Sequence, residues 1–107
     1  MTNITAEQRL ALARAVYPIL KCTEYQGCVY FDLKSHDELF EPEENAEQLL
    51  DVLCWLLKQD CCNSVDDDAV RAYPKGADEP KAIEHNCTPA SLSDAVVRAA
   101  VMVVEGE

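Results

Sequence analysis

Apolar residues recur at helical spacing in three stretches of the chain, and each stretch follows a residue that commonly caps helices. Thr5, Asn45 and Thr88 have side-chain oxygens that accept the first free backbone N–H groups, and Pro89 stands at a first helical position. A glutamine lies three residues after each of the first two caps, as in a capping box. We therefore predict three helices. The second is expected to be the main core element, with an apolar stripe of Leu49, Leu50, Val52, Leu53, Trp55, Leu56 and Leu57.

Between the first two helices the pattern changes to alternation with a period of two. Every second residue of Cys28–Leu33 is apolar, so one face of this strand is expected to be buried. Cys22–Tyr25 precedes it, and Gly27 supplies the positive φ that a two-residue turn needs. These features predict a hairpin. Residues 35–44 are polar and acidic and contain a proline, so we expect a loop there.

Two further strands are predicted between the second and third helices. Residues 69–73 form one of them, and residues 81–85 form its partner after a loop rich in proline and glycine. The predicted order is α-β-β-α-β-β-α. This order indicates an α+β fold, with three helices around a small, mostly antiparallel sheet.

The composition is that of one ordinary globular domain spanning residues 1–107. Apolar residues make up 49% of the chain and charged residues 27%, which argues against disorder. The first residues lack the basic and apolar segments of a secretory signal, and no apolar run approaches the length of a membrane span. We therefore expect a cytoplasmic protein whose six cysteines are reduced and form no disulfide.

The charge balance narrows the class of partner. The chain has 20 acidic residues against 9 basic ones, for a formal net charge of −11. A field of this sign repels nucleic acids and anionic membrane surfaces, so neither is expected to be a direct partner. It favours a basic protein or a nucleoprotein complex with exposed basic surface.

The element order and two local phrases resemble a known family. The first phrase is FEPEENAE at residues 40–47, which leads into the second helix, and the second is HNCTPA at residues 85–90, which leads into the third. Both are similar to those of the phage ABA-sandwich domain, found in small phage and prophage proteins. The resemblance implies a phage accessory protein in a bacterial host cell. It implies no particular activity and no functional residues.

Cysteine and histidine chemistry is the first alternative to a binding role. Cys61, Cys62, His85 and Cys87 are the most plausible set of four zinc ligands, but the paired short spacings of structural zinc sites are absent. A catalytic pair of Cys87 with His85 or His36 lacks an orienting third group. We therefore predict no cofactor, no metal and no enzymatic activity, and place Cys54 in the core of the second helix.

Clusters of carboxylates are the strongest polar feature. Asp66, Asp67 and Asp68 lack the pattern and the glycine of a calcium loop and are expected to form a solvated turn. No Lys or Arg separates Lys34 from Lys58, and seven acids fall in that interval. If the turn and this interval lie on one side of the sheet, they form a continuous negative surface. Its predicted contact residues, with Phe40 or Tyr73 as the apolar anchor, are Asp37, Glu38, Phe40, Glu41, Glu43, Glu44, Glu47, Asp66, Asp67, Asp68 and Tyr73.

Three functions follow from these features. The first is protein–protein binding through the acidic surface, for example as an anti-CRISPR-like inhibitor of a host complex that handles nucleic acid. The second is a homodimeric structural or regulatory phage protein, whose interface uses apolar residues left over from the second helix, especially Trp55. The third is a small thiol or zinc enzyme.

Overall fold

The computed structural model describes residues 4–106. Nine helices and strands follow one another in this part of the chain. In order they are α1 (Ala6–Val16), β1 (Cys22–Tyr25), β2 (Cys28–Leu33), β3 (His36–Leu39), α2 (Ala46–Gln59), β4 (Ser64–Val65), β5 (Ala69–Ala72), β6 (Lys81–Glu84) and α3 (Pro89–Glu105).

The predicted α+β class and the three helices are confirmed, but each half of the chain contains one more strand than predicted. β1, β2 and β3 form one antiparallel sheet, and β4, β5 and β6 form a second. The expectation of a loop over residues 35–44 is therefore wrong for β3, which pairs with β2 from Tyr30↔Leu39 to Leu33↔His36. A strand is held by backbone hydrogen bonds, so a polar sequence at a sheet edge can pair without any alternating pattern.

The first hairpin closes as its sequence predicts. Gln26 and Gly27 both have positive φ, at 51° and 81°, as the tight turns that match the twist of paired strands require. The Gly27 N–H donates to Glu24 Oε2 at 2.7 Å. This short connection fixes the register of β1 on β2, which places Cys22 opposite Phe31.

All three predicted N-caps are present. The Thr5 side chain accepts from the Gln8 N–H in a full capping box, Asn45 accepts from the Gln48 N–H, and Thr88 accepts from the Ser91 N–H. The helices therefore begin where the sequence indicates, and α2 follows within seven residues of the end of the first sheet.

α3 lies at the centre of the molecule and contacts α1, α2, β5 and β6, while α1 also contacts β1 and β2. Its buried residues are small or β-branched, which lets the neighbouring elements approach closely. They are Ala95, Val96, Val97, Ala99, Ala100 and Val101. Among residues 4–106, no helix has the length and apolar character needed to cross a bilayer.

The apolar stripe of α2 is divided between two sides of the helix. Val52 and Leu56 are fully buried, whereas Leu50 and Leu57 remain 60% and 43% exposed. Cys54 is exposed as well, so its predicted place in the core is wrong. At about 100° per residue, position 54 lies some 160° around the helix from Leu56, on the side away from α3.

Candidate functional site

The predicted acidic surface is divided between the two sheets. Asp37 and Glu38 lie in β3, and residues 40–47 form the connection to α2 and its first turn. Asp66, Asp67 and Asp68 instead form the turn between β4 and β5 in the second sheet. The assumption of a single sheet that would join these groups is therefore wrong.

Phe40 is fully buried and cannot serve as the exposed anchor of a binding surface. Its ring packs edge-on against Tyr17 and Phe31, with centroid distances of 6.0 and 6.2 Å. Tyr17 and Phe31 stack at 4.6 Å. Phe40 follows an acidic strand, yet its backbone N–H donates to the Val29 carbonyl at 2.8 Å, which continues the ladder and turns the ring inward.

Two of the predicted acids in the first half of the chain have structural partners. Glu43 makes a two-pronged ion pair with Arg9 of α1, at 2.6 and 2.7 Å, and both side chains are mostly buried. Glu38 accepts a hydrogen bond from Gln48 Nε2 at 3.2 Å. These carboxylates hold α1 and α2 to the first sheet, and a partner would have to break such contacts to use them.

Carboxylates of the β4–β5 turn are also matched by a cation. Arg71 of β5 pairs with Asp66 and lies 3.7 Å from Asp68. The Asp66 carbonyl contacts His85 Nε2 at 2.7 Å. The turn is exposed, as predicted, and part of its charge is neutralised within its own sheet.

The outer face of the first sheet brings together residues that the acidic-surface prediction mostly missed. Cross-strand register and alternation place five side chains on it, and two adjoining hollows of about 230 and 410 Å³ open there. Tyr25 is 64% exposed. We call this surface the outer face; its members are Thr23, Tyr25, Tyr30, Asp32 and Asp37.

Two carboxylates of the outer face stand directly opposite each other. Asp32 of β2 is the register partner of Asp37 of β3. Like charges at opposed positions destabilise a sheet, because their Cβ atoms are only about 5 Å apart. Lys21 borders the same hollow, but no ion pair joins it to either aspartate in the described part of the chain. The alternation in Cys28–Leu33 could have predicted this surface from the sequence. If Val29 and Phe31 face the core, Tyr30 and Asp32 must lie on the opposite face of the sheet.

The four residues considered above as an alternative set of zinc ligands are not brought together. Both ring nitrogens of His85 have partners, with Nε2 on the Asp66 carbonyl and Nδ1 accepting from the Cys87 N–H at 3.0 Å. Cys61 and Cys62 instead group with Asp60, with potential ligand atoms within 4.8 Å of one another. These three consecutive residues lie at the surface, beyond the end of α2.

The six cysteines are unpaired and differ in exposure. Cys22 is the buried one, and its burial raises the pKa of its thiol. The pKa of Cys62 is raised by a hydrogen bond with Cys61 and by the negative charges of Cys61 and Asp60. Both shifts favour the neutral thiol, which is the less nucleophilic form, so these two residues are poor nucleophiles at neutral pH.

One half-buried phenol, that of Tyr17, lies between α1 and α2. The Tyr17 hydroxyl donates to Asp51 Oδ2 at 2.5 Å. Burial raises the pKa of this phenol well above its usual value, and the hydrogen bond and the charges of Asp51 and Glu38 act in the same direction. Tyr17 therefore remains a neutral donor that fixes Asp51 on the surface of α2.

A third hollow, of about 360 Å³, lies between α1, β6 and α3, and Lys81 and Arg98 give it two cationic groups. Ile4 and Gly106, the first and last described residues, both border it. Arg98 lies 3.6 Å from Asp94 of its own helix. The hollow therefore adjoins both ends of the described part of the chain.

Of the surfaces described above, the outer face brings aromatic, hydroxyl and carboxylate side chains together around two adjoining hollows. Comparisons of the chain with protein-family models, with curated proteins and with solved structures found no match.

Proposed function

We propose that this is a protein-binding protein that docks on a basic partner through the outer face of its first sheet. The opposed pair of Asp32 and Asp37 is the observation that carries the proposal. In its concrete form, the protein is a phage accessory protein that inhibits a host complex handling nucleic acid. The resemblance to small phage proteins and the net charge of −11 support that form.

The opposed aspartates favour a cation between them. Two carboxylates at neighbouring register positions repel each other, and an incoming guanidinium would remove the repulsion and add charge-assisted hydrogen bonds. Lys21 lines the same hollow, so its positive charge reduces the negative potential there without forming an ion pair with either aspartate. Binding an external arginine or lysine therefore stabilises Asp32 and Asp37 more than it would stabilise the acids that are already paired with Arg9 or Arg71.

The two tyrosines supply the apolar part of the contact. Tyr25 and Tyr30 line the hollow that adjoins Asp37, and an arginine bound there can lie against an aromatic ring. Partly exposed tyrosines are frequent anchors of protein interfaces, because they bury a large area at low cost in side-chain entropy. They take the role of apolar anchor, which the sequence analysis assigned to Phe40 or Tyr73.

The class of partner follows from this chemistry. A groove lined with Lys and Arg that normally binds phosphates presents cations at high density, and carboxylates offer it the same sign of charge and the same paired acceptor geometry. Attraction between the two mainly raises the association rate and weakens as salt is added. An inhibitor of this kind would compete with nucleic acid for the groove.

The proposal is tested by titrating the protein with an arginine- and lysine-rich peptide while recording backbone amide NMR spectra. We expect shifts concentrated at Thr23, Tyr30 and Asp37. The double variant Asp32→Asn/Asp37→Asn should bind about tenfold more weakly or worse, which corresponds to the loss of one charge-assisted contact. Equal binding by wild type and this variant would rule the outer face out.

A matched control separates the site from net charge. The variant Asp67→Asn/Asp78→Asn changes the charge by the same amount at exposed positions outside the first sheet. It should bind the peptide nearly as wild type does. If both double variants weaken binding equally, the interaction reflects the overall field and the outer face has no special role.

Capture from host lysate tests the concrete form. The partner retained by wild type should be absent with Asp32→Asn/Asp37→Asn, and it should be released by high salt and by added duplex DNA. Retention of the same partner by this double variant, or persistence in the presence of excess DNA, would contradict competition for a phosphate-binding groove.

A further inference from the structure

We infer that α2 is also a self-association surface, on which α2 of a second copy of this chain packs in antiparallel orientation. This inference is independent of the outer face and of any basic partner. It rests on an apolar row, which we call the outer stripe of α2, in which Leu50, Cys54 and Leu57 are exposed and Leu53 is half-buried at the edge of the core. Its members are Leu50, Leu53, Cys54 and Leu57.

The exposed members of the outer stripe lie on the side of α2 that faces away from the core. Gln48, Val52 and Leu56 are the buried residues of this helix and fall within about 80° of one another around its axis. Leu50 and Leu57 project from nearly the opposite side, where they remain 60% and 43% exposed. A helix with one apolar side in the core and a second one in solvent presents an unused packing surface.

The spacing of the stripe fits a second copy of itself. Its members occupy positions i, i+3, i+4 and i+7, the spacing of a helix-pairing seam. That pattern reads the same from either end. When two copies run antiparallel, Leu50 therefore meets Leu57 of the second copy, while Leu53 and Cys54 of both copies lie together beside the two-fold axis, which repeats every contact.

Charge beside the stripe selects the same register. Glu47, Asp51 and Lys58 all lie along one flank of α2, and antiparallel pairing brings like flanks together. With Leu50 opposite Leu57, Lys58 of the second copy comes level with a point midway between Glu47 and Asp51. Each copy then offers one ammonium between two carboxylates. Tyr17 already orients Asp51, through its hydrogen bond to Oδ2.

The decisive measurement is sedimentation equilibrium of the reduced protein over a range of concentrations. We expect a reversible dimer for wild type. Leu50→Asp should raise the dimer dissociation constant by more than about tenfold, because it places a charge in the seam twice per dimer. Ile19→Asp is the matched control, since Ile19 is 94% exposed and lies outside α2; it should dimerise as wild type does.

Charge exchange tests the register without altering the leucines. Lys58→Glu should weaken the dimer, and the additional change Glu47→Lys should restore most of the loss. A circular-dichroism melt of each variant confirms that the monomer is still folded. A strictly monomeric wild type at millimolar concentration, or a dimer that Leu50→Asp leaves unchanged, would overturn the inference.

A thiol provides a second test of geometry. In the proposed register Cys54 lies next to Cys54 of the second copy, close to the two-fold axis. Diamide, which takes two electrons and two protons from a pair of thiols, should therefore crosslink a variant whose only exposed cysteine is Cys54. A variant that retains only Cys28, on the first sheet, should stay uncrosslinked under the same conditions. The reverse outcome would place the contact elsewhere.

Discussion

The two sheets are alike in size and pairing, but the side chains next to their aspartates differ in charge. In the second sheet, Arg71 lies within reach of both Asp66 and Asp68. In the first, Asp32 faces Asp37 across paired strands. There are thus two kinds of acid: those of the second sheet stabilise their own strand connection, whereas the second kind, in the first sheet, lowers the stability of the fold. Only the second kind supports the proposed contact with a basic partner.

The attachments of the two sheets to α2, by contrast, are closely matched. On the first sheet side, the amide of Gln48 accepts from the Glu41 N–H and donates to the Leu39 carbonyl, both at 2.7 Å. On the second, the amide of Asn63 donates to the Leu56 carbonyl at 2.9 Å and accepts from the Tyr73 N–H at 3.1 Å. One buried amide thus ties each sheet to the same helix.

The largest expected effect is on the core of the first sheet. Phe40→Ala should lower the free energy of unfolding by about 3–5 kcal/mol, because it removes a fully buried ring and leaves a cavity beside Tyr17 and Phe31. Urea denaturation measures the loss. Tyr25→Ala on the outer face of the same sheet is the control and should cost far less. Similar losses for both would mean that the two faces are not distinct.

Replacing either of the two buried amides should give the next largest loss of stability, and the two losses should be equal. Gln48→Leu and Asn63→Leu each leave a backbone N–H and a carbonyl without their partner, at about 1–3 kcal/mol for an unsatisfied buried group. Gln59→Leu, at an exposed site on α2, should change little. Urea denaturation of the three variants checks this. A large loss for Gln48→Leu alone would show that α2 anchors one sheet and not the other.

The smallest effects should differ in sign. Asp37→Asn removes a like-charge contact and should raise the free energy of unfolding by about 0.2–1 kcal/mol. Asp66→Asn removes an exposed ion pair with Arg71 and should lower it by up to about 1 kcal/mol. Chemical denaturation at low ionic strength resolves such differences best. Changes of the same sign would remove the contrast between the sheets.

Much of the fold could be predicted from local chemistry. Thr5, Asn45 and Thr88 mark helix starts because capping depends on a few adjacent atoms, and Gly27 marks a turn for the same reason. β3 could not be predicted in this way. His36–Leu39 is held by backbone pairing with β2, and such pairing at a sheet edge requires no alternating apolar pattern in the paired segment.

The candidate site was predicted less well, because charge in a sequence does not reveal its partners. Glu43 belongs to an ion pair with Arg9, which lies 34 positions away in the chain. Asp37 was correctly singled out as exposed and acidic, but its neighbours Asp32 and Tyr25 come from strands read only as a hairpin. Register is what turns such separate residues into one surface.

The hydroxyl that Tyr17 donates to Asp51 has a consequence for the behaviour of the protein in alkali. The folded chain raises the pKa of this phenol, so the stabilisation is complete below about pH 10, where the unfolded phenol is still neutral, and is lost as the pH rises further. Phenolate absorbance from Tyr17 should therefore develop together with the loss of the helical circular-dichroism signal. Tyr17→Phe should reduce the dependence of the free energy of unfolding on pH in the alkaline range. The titration of this one phenol would then report on the stability of the contact between α1 and α2.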